Sequence, residues 1–207
     1  MAGVKGQVQT RGTERRAAII DAAVDLFSRS GYQGTALSEI AERVGVSAPA
    51  ILHHFGSKAG LLVAVLAEVD RRHLDSGAEV FGPGGLETLR RLRRFAESMD
   101  GAPEVSAIHL LLEAEHLHDD GPVGVYLRRR ARAMRSMVAA ALTTGQQAGE
   151  IRADVDPIAK AAEIVAYLDG AARSWLVDPA LSILDLYDSY LDGVLAALSV
   201  ESPPSAQ

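Results

Sequence analysis

The chain has 207 residues, 48% of them hydrophobic and 23% charged, with a formal net charge of −6; that suits one or two compact domains with a packed core. The longest apolar run, Leu61–Ala67, falls well short of the roughly 18 residues a membrane-spanning helix needs, and MAGVKGQVQTRG lacks the apolar centre of a secretion signal. No cysteine is present, which excludes a disulfide framework, a thiolate zinc site and a cysteine nucleophile; the expectation is a soluble, cytoplasmic protein.

The charge is uneven along the chain. Residues 1–60 carry seven basic and five acidic groups, a balance of +2, while the other 147 carry 14 and 22, a balance of −8. The global excess of acid argues against nucleic acid; the basic end argues for it locally. Strand signals are nearly absent and helical periodicity runs throughout. After a disordered tail, 1–12, Thr13 is placed to cap a first helix whose apolar stripe is Ile19, Ile20, Ala23, Val24 and Phe27, ended by Gly31. A short second helix spans Leu37 to Val44, stopped by Gly45. Ser47 caps a third, with Pro49 in its first turn where a missing N–H costs nothing, and it ends near Phe55-Gly56. Ser57 restarts the chain as a long helix to about Leu74. The glycine-rich stretch Gly77–Gly85 is the clearest break. Beyond it, helices are predicted over about 86–99, 104–117, 122–148, 157–177 and 181–199, and residues 200–207 read as a second disordered tail. The fold class is all-α, with about nine helices, no sheet and no internal repeat.

The densest signal runs from Gly31 to Leu62, GYQGTALSEIAERVGVSAPAILHHFGSKAGLL. Ile40, Ala41 and Val44 face inward from the second helix, and Ile51 and Phe55 from the third. Two short helices joined by a tight turn at Gly45 make a helix-turn-helix, whose second helix can enter the DNA major groove. The stretch from Thr13 to Leu62 resembles the tetracycline-repressor (TetR) family of bacterial transcription factors. The matching elements are Ile19-x-x-Ala22-Ala23-x-x-Leu26-Phe27, Gly31-Tyr32-x-Gly34-Thr35, Ile40-Ala41-x-x-x-Gly45-Val46-Ser47, and His54-Phe55-x-x-Lys58 with Leu61. The chain departs from the family at Leu52, where tyrosine is usual and would supply a phosphate-contacting hydroxyl, and at Pro49, where a small residue is common. A weaker resemblance continues through Gly149-Glu150-Ile151-Arg152, Asp156-Pro157 and Asp169-Gly170.

The resemblance implies a helix-turn-helix DNA-binding domain at 13–57 and a ligand-binding and dimerisation domain at 58–199. It implies that the third helix reads base edges with Ser47, Ala48, Pro49, Ala50, Leu52 and His53, assisted by Ser38 from the helix before. None of these is Arg, Asn or Gln, so readout should rest on thymine methyls against Ala48, Pro49 and Ala50. Hydrogen bonds from Ser38, Ser47 and His53 and the shape of the DNA would supply the rest. Thr35, His54 and Lys58 form the expected phosphate group; Thr35 fits a plain helix N-cap equally well. Arg11, Arg15 and Arg16 could extend the footprint into the flanking minor groove. Arg43 reads as the i,i+4 partner of Glu39.

On helix 122–148, Tyr126, Leu127, Ala131, Met134, Met137, Val138, Ala141 and Leu142 form one apolar arc. Arg128, Arg129, Arg132 and Arg135 lie outside that arc and Arg130 inside it. An inward arginine needs a partner, because an unpaired buried charge is very costly. Helix 104–117 puts His109, Glu113 and His116 on one stripe. The reading is an effector pocket with Arg130 and His109 or Glu113 as its polar groups. Its walls would be Phe95, Met99, Leu112, Met134 and Met137, with Trp175 a further apolar candidate. The alternative is a solvated stripe with Arg130 snorkelling outward. Helices 157–177 and 181–199 are apolar on more than one face, which a monomer edge does not bury. Relatives use this helix pair as a four-helix homodimer interface, and the pattern agrees.

A rival reading is a metal-dependent helical-bundle enzyme using Asp70/His73 and Glu113/His116, each at i,i+3. Such sites need two further inward glutamates, and both motifs sit at helix ends, where His complements the dipole. No Ser-His-Asp arrangement, phosphate loop or dinucleotide fingerprint is present. The expectation is therefore not an enzyme and needs no cofactor or metal. It is a transcriptional repressor that binds near-palindromic double-stranded DNA as a homodimer and is released by an unidentified small-molecule effector, with no membrane partner.

Overall fold

The computed structural model describes residues 3–74, 81–101, 103–116 and 118–200; the side chains of 3–11, 72–74, 104, 105, 108 and 109 lie outside that description. So do residues 201–207 of the expected C-terminal tail and most of the Gly77–Gly85 break. Among the described residues the chain forms ten helices: α1 (Gly3–Gly34), α2 (Leu37–Val44), α3 (Ala48–Phe55), α4 (Lys58–Leu74), α5 (Gly85–Arg91), α6 (Arg93–Asp100), α7 (Pro103–Glu115), α8 (Pro122–Gln147), α9 (Pro157–Val177) and α10 (Ile183–Leu198). The non-helical pairing described is a single antiparallel bridge between Ile151 and Ser199. No single described helix is long and apolar enough to cross a membrane.

Two elements differ from expectation. Helix α1 begins at Gly3, not Thr13, so ten residues expected as a disordered tail and Thr13, expected as a cap, lie within the helix. The chain has no proline before Pro49, and nothing else there forbids helical dihedrals. Gly31 breaks the helix as expected, at φ 71° and ψ 166°, a conformation glycine adopts without a Cβ clash. The predicted helix 86–99 is divided into α5 and α6 at Leu92, which keeps right-handed dihedrals of φ −57° and ψ −24°.

The chain separates into two compact units, the first being residues 1–71 with 104–127 and the second 72–103 with 128–207. The first thus takes in more chain than the 13–57 segment. Its core gathers the α1 stripe (Ile19, Ile20, Ala23, Val24, Phe27), Ile40 and Ala41 of α2, Ile51 of α3 and the α4 face Leu61, Leu62, Val65, Leu66 and Val69. Leu112 from α7 and Val123 and Leu127 from the start of α8 join it. Burying a leucine or isoleucine of this kind contributes about 1.5–3 kcal/mol each. On its edge, Tyr126 donates a 2.5 Å hydrogen bond to Oδ2 of the buried Asp70.

The second core is built by Leu86, Leu89, Leu92, Val138, Leu142, Ile164, Leu168, Ile183, Leu191 and Leu198, among others. Two of its helices open on side-chain caps. Asp156 accepts from the N–H groups of Ile158 (2.9 Å) and Ala159 (3.3 Å) to open α9, and Ser182 accepts from Asp185 N–H at 3.2 Å to open α10.

Candidate nucleic-acid interface

The sharp turn between α2 and α3 follows from two residues. Gly45 takes the left-handed conformation (φ 68°, ψ 37°) and closes α2 onto the carbonyls of Ala41 and Glu42. Ser47 Oγ accepts the Ala50 N–H at 3.3 Å and opens α3. Ile51 is fully buried, which fixes the rotation of α3 about its axis. The rest of α3 is open to solvent: Ser47, Pro49, Leu52, His53 and His54 are exposed, Ala48 and Ala50 half-buried, and Ser38 on α2 is exposed. Leu52, at 41% exposure, is a large apolar side chain held in water by this geometry.

The junction with α4 is tight. Ser57 Oγ accepts the Gly60 N–H at 2.9 Å, and a Cβ on Gly60 would stand 2.1 Å from the Phe55 carbonyl oxygen. Only glycine lets α4 begin so close to the last residue of α3.

Thr35 is a correction. It is 1% exposed, and its hydroxyl donates to the carbonyls of Gly31 (2.9 Å) and Leu26 (3.3 Å) at the end of α1. The cap position of α2 belongs to Ala36, with no side-chain bond. Thr35 therefore closes back onto the end of α1 and presents no hydroxyl outward. Arg43 is a second correction: it pairs with Asp25 of α1 at 2.5 Å rather than with Glu39, and Arg29 reaches the same carboxylate at 2.9 Å. The cations flanking α3 are held differently. Lys58 Nζ lies 4.5 Å from the centroid of the Tyr32 ring, and the Arg16 guanidinium 5.2 Å from that of Phe55. Arg15 is exposed, and the side chain of Arg11 lies outside the description. Sequence reasoning missed both ring seats, although Tyr32 and Phe55 stand inside the motif.

The expected effector residues divide between the units. Leu112, expected as a wall beside Phe95 and Met134, is instead sealed in the first core at 2% exposure. Glu113 is half-buried on the same helix, and the His109 side chain lies outside the description. In the second unit Phe95, Met99, Met134 and Trp175 pack half-buried against the core, and Met137 is half-buried on α8. Arg130 is half-buried, and its charge acts on Asp169 of α9 and Tyr187 of α10. Withdrawal from water raises the Asp169 carboxyl, opposed by the charges of Arg130 and Arg135. Burial, and then Asp169, push the Tyr187 hydroxyl up; that hydroxyl donates to the Leu168 carbonyl at 3.4 Å. Arg130 thus lies close enough for its charge to act on an acid of α9 and a phenol of α10. An open groove of about 450 Å³ runs beside α5, α6 and α10, bordered by Arg90, Arg91, Arg93, Arg94 and their acidic partners. None of the expected effector residues lines it. Of the rival metal motifs, Asp70 is engaged by Tyr126 and His116 Nδ1 lies 2.9 Å from the Leu112 carbonyl.

One more face stands uncovered. On α9, Ile158 and Val177 are 76% and 75% exposed, and Ala162, Ala166, Tyr167 and Gly170 are exposed between them. Tyr167 stacks on Tyr190 of α10 with ring centroids 3.7 Å apart. The Tyr190 hydroxyl is pushed up to about 12 by burial and by Glu163.

Comparison with known proteins agrees with this geometry. Residues 19–65 match the model of bacterial regulatory proteins of the tetR family, and residues 89–196 that of the C-terminal domain of BetI-type transcriptional repressors. The chain is 44% identical over 71 residues to the HTH-type transcriptional regulator RutR of Escherichia coli K12, a match that takes in 31% of this chain and only 34% of RutR. It is 27% identical over 187 residues to the HTH-type transcriptional regulator TtgR of Pseudomonas putida, covering 86% of this chain and 89% of TtgR. A solved TetR-family transcriptional regulator from Rhodococcus sp. superposes with a TM-score of 0.74 at 28% identity, over 91% of this chain and all of that one. With an N-terminal helix-turn-helix and more than half its length in a repressor C-terminal domain, the chain belongs to the TetR family of bacterial transcriptional regulators.

Proposed function

We propose that this protein is a cytoplasmic repressor that binds a near-palindromic operator as a homodimer and lets go when a small molecule enters its second unit. The observation that carries the reading is the solvent face of α3. It is positioned by the Gly45 turn and the Ser47 cap, stripped of large basic readers and flanked by the ring-held Arg16 and Lys58. A face that offers small apolar groups and hydroxyls to the groove, with cations at its margins, suits thymine-methyl contact and backbone clamping. Recognition helices of a dimer would sit roughly 34–36 Å apart, one DNA turn.

The uncovered strip on α9 and α10 supports the dimer. Ala162, Ala166 and Gly170 recur every fourth residue and let a second helix approach closely, with Ile158 and Val177 at the ends. The effector is inferred to carry an acidic or polar head that competes with Asp169 for Arg130, its apolar part resting against Phe95, Met99, Met134, Met137 and Trp175. An electrophoretic mobility shift on DNA flanking the protein's own gene tests the first part. A retarded complex with two protomers per duplex is expected, and its absence at micromolar protein would defeat the reading.

A further inference from the structure

Lys58 opens α4, and a cation there opposes the positive end of the helix dipole. Its long flexible stem also carries rotamer entropy that any contact must overcome. Both liabilities are met by one neighbour. Gly31 turns the chain off the α1 axis, and the next residue, Tyr32, sets its ring beneath the ammonium with Nζ 4.5 Å from the centroid. The ring is itself wedged. It meets Phe27 of α1 edge-on at 5.5 Å and the His116 ring, just beyond α7, at 5.6 Å. Burial, with the charges of Asp119 and Glu115, raises the Tyr32 hydroxyl, so the phenol stays neutral and its face keeps the quadrupole that attracts a cation.

From this arrangement we infer that Tyr32 is a positioning residue for DNA binding: it holds the Lys58 ammonium in place for an operator phosphate without neutralising it. A carboxylate in that place would cancel the charge, as Asp25 does for Arg29 and Arg43. A ring face attracts the ammonium from one side and leaves N–H groups on the other free to donate. The seat therefore removes an ordering cost before binding, which is preorganisation. Arg16 over Phe55, the last residue of α3, repeats the device. The inference rests on the repressor reading proposed above.

A double-mutant cycle on the full chain tests it, with operator affinity and its salt dependence as readouts and the thermal midpoint as a check on folding. Tyr32→Leu should weaken binding about two- to fivefold, the range of an exposed cation–π contact. The same substitution on a Lys58→Ala background should change affinity no further, and Tyr32→Phe, which keeps the ring, should restore binding. In the DNA-free protein, the Lys58 ε-methylene protons should be shifted upfield by the ring current and return to ordinary values in Tyr32→Leu. Additive losses in the cycle, a Tyr32→Phe variant as weak as Tyr32→Leu, or unshifted Lys58 protons would each overturn the inference. Failure of the unsubstituted protein to bind DNA would instead overturn the repressor reading, and this role with it.

Discussion

The cations beside α3 and those of the second unit are held in different ways. Around α3, Lys58 and Arg16 rest on the rings of Tyr32 and Phe55. In the second unit Arg91 reaches Glu87 at 2.7 Å, Arg93 reaches Asp188 and Asp192 at 3.5 and 3.6 Å, and Arg152 reaches Asp154 at 2.5 Å. A ring orders a cation and leaves its charge outstanding; a carboxylate orders it and cancels it. The contrast gives physical content to the uneven charge of the sequence, and it explains how a chain of net charge −6 can approach a polyanion at one end. The lesson is that the partner of a cation, more than the count of cations, marks a nucleic-acid surface.

The uncovered faces sharpen the same contrast, since one is polar at its margins and the other apolar. The largest effect is expected at the apolar one. Ala166→Glu puts a charge in the middle of the α9 strip, where a second copy would bury it unpaired. The variant should sediment as a monomer and lose operator affinity about a hundredfold or more, its helix content unchanged because Ala166 is exposed in one chain. A variant that stays dimeric with full affinity would remove this face from the interface.

Next comes the joint between α3 and α4. Gly60→Ala forces a methyl against the Phe55 carbonyl and should cost about 1–3 kcal/mol of stability, the range for overpacking a tight contact. Displacing the end of α3 should also lower operator affinity. Chemical denaturation and the mobility shift read the two effects separately, and an unaltered variant would mean that the joint has slack.

Much of the helical layout was legible from the sequence because it depends on neighbours in the chain: the Ile19–Phe27 stripe, the Gly45 turn and the Ser47 cap stand where periodicity and capping place them. What escaped depends on which helices pack together. Local spacing gives Arg43 to Glu39, yet α1 brings Asp25 closer. Thr35 has the chemistry of a cap or a phosphate ligand, and its hydroxyl instead turns back to the α1 carbonyls of Gly31 and Leu26. Leu112 sits on a helix with polar companions that suggest a pocket, while its own side chain completes the first core. For the site, the readable part was the outward face of α3. The ring seats were unreadable because nothing in the spacing of Tyr32 and Lys58 brings them together.

A smaller effect is expected at Lys58 itself. Lys58→Ala should weaken binding to every sequence alike and flatten the dependence of log affinity on log salt by about one unit. Replacing Ala50 should alter which base is preferred at one position and leave the slope alone. Measuring both slopes distinguishes a clamp from a reader, and an unchanged slope in Lys58→Ala would take the lysine out of the phosphate group.

The smallest expected effect probes the neutralised side of the comparison. Asp169 has its carboxyl raised, with loss of water outweighing Arg130 and Arg135. A raised carboxyl adds stability only while it is protonated, below its unfolded value near 3.9, and that contribution is lost as pH rises through the higher folded value. At neutral pH the carboxylate is therefore a net burden, and Asp169→Asn should raise stability there. The residue is exposed enough for solvent to screen it, so the gain should be about 0.3 kcal/mol. It should shrink toward zero as the pH falls below the ordinary carboxylate range. Denaturant melts of both proteins at neutral and acid pH would show it. A loss of stability at neutral pH would mean instead that the pairing with Arg130 outweighs desolvation, and an effector would then have to displace a bound acid before it could claim the guanidinium.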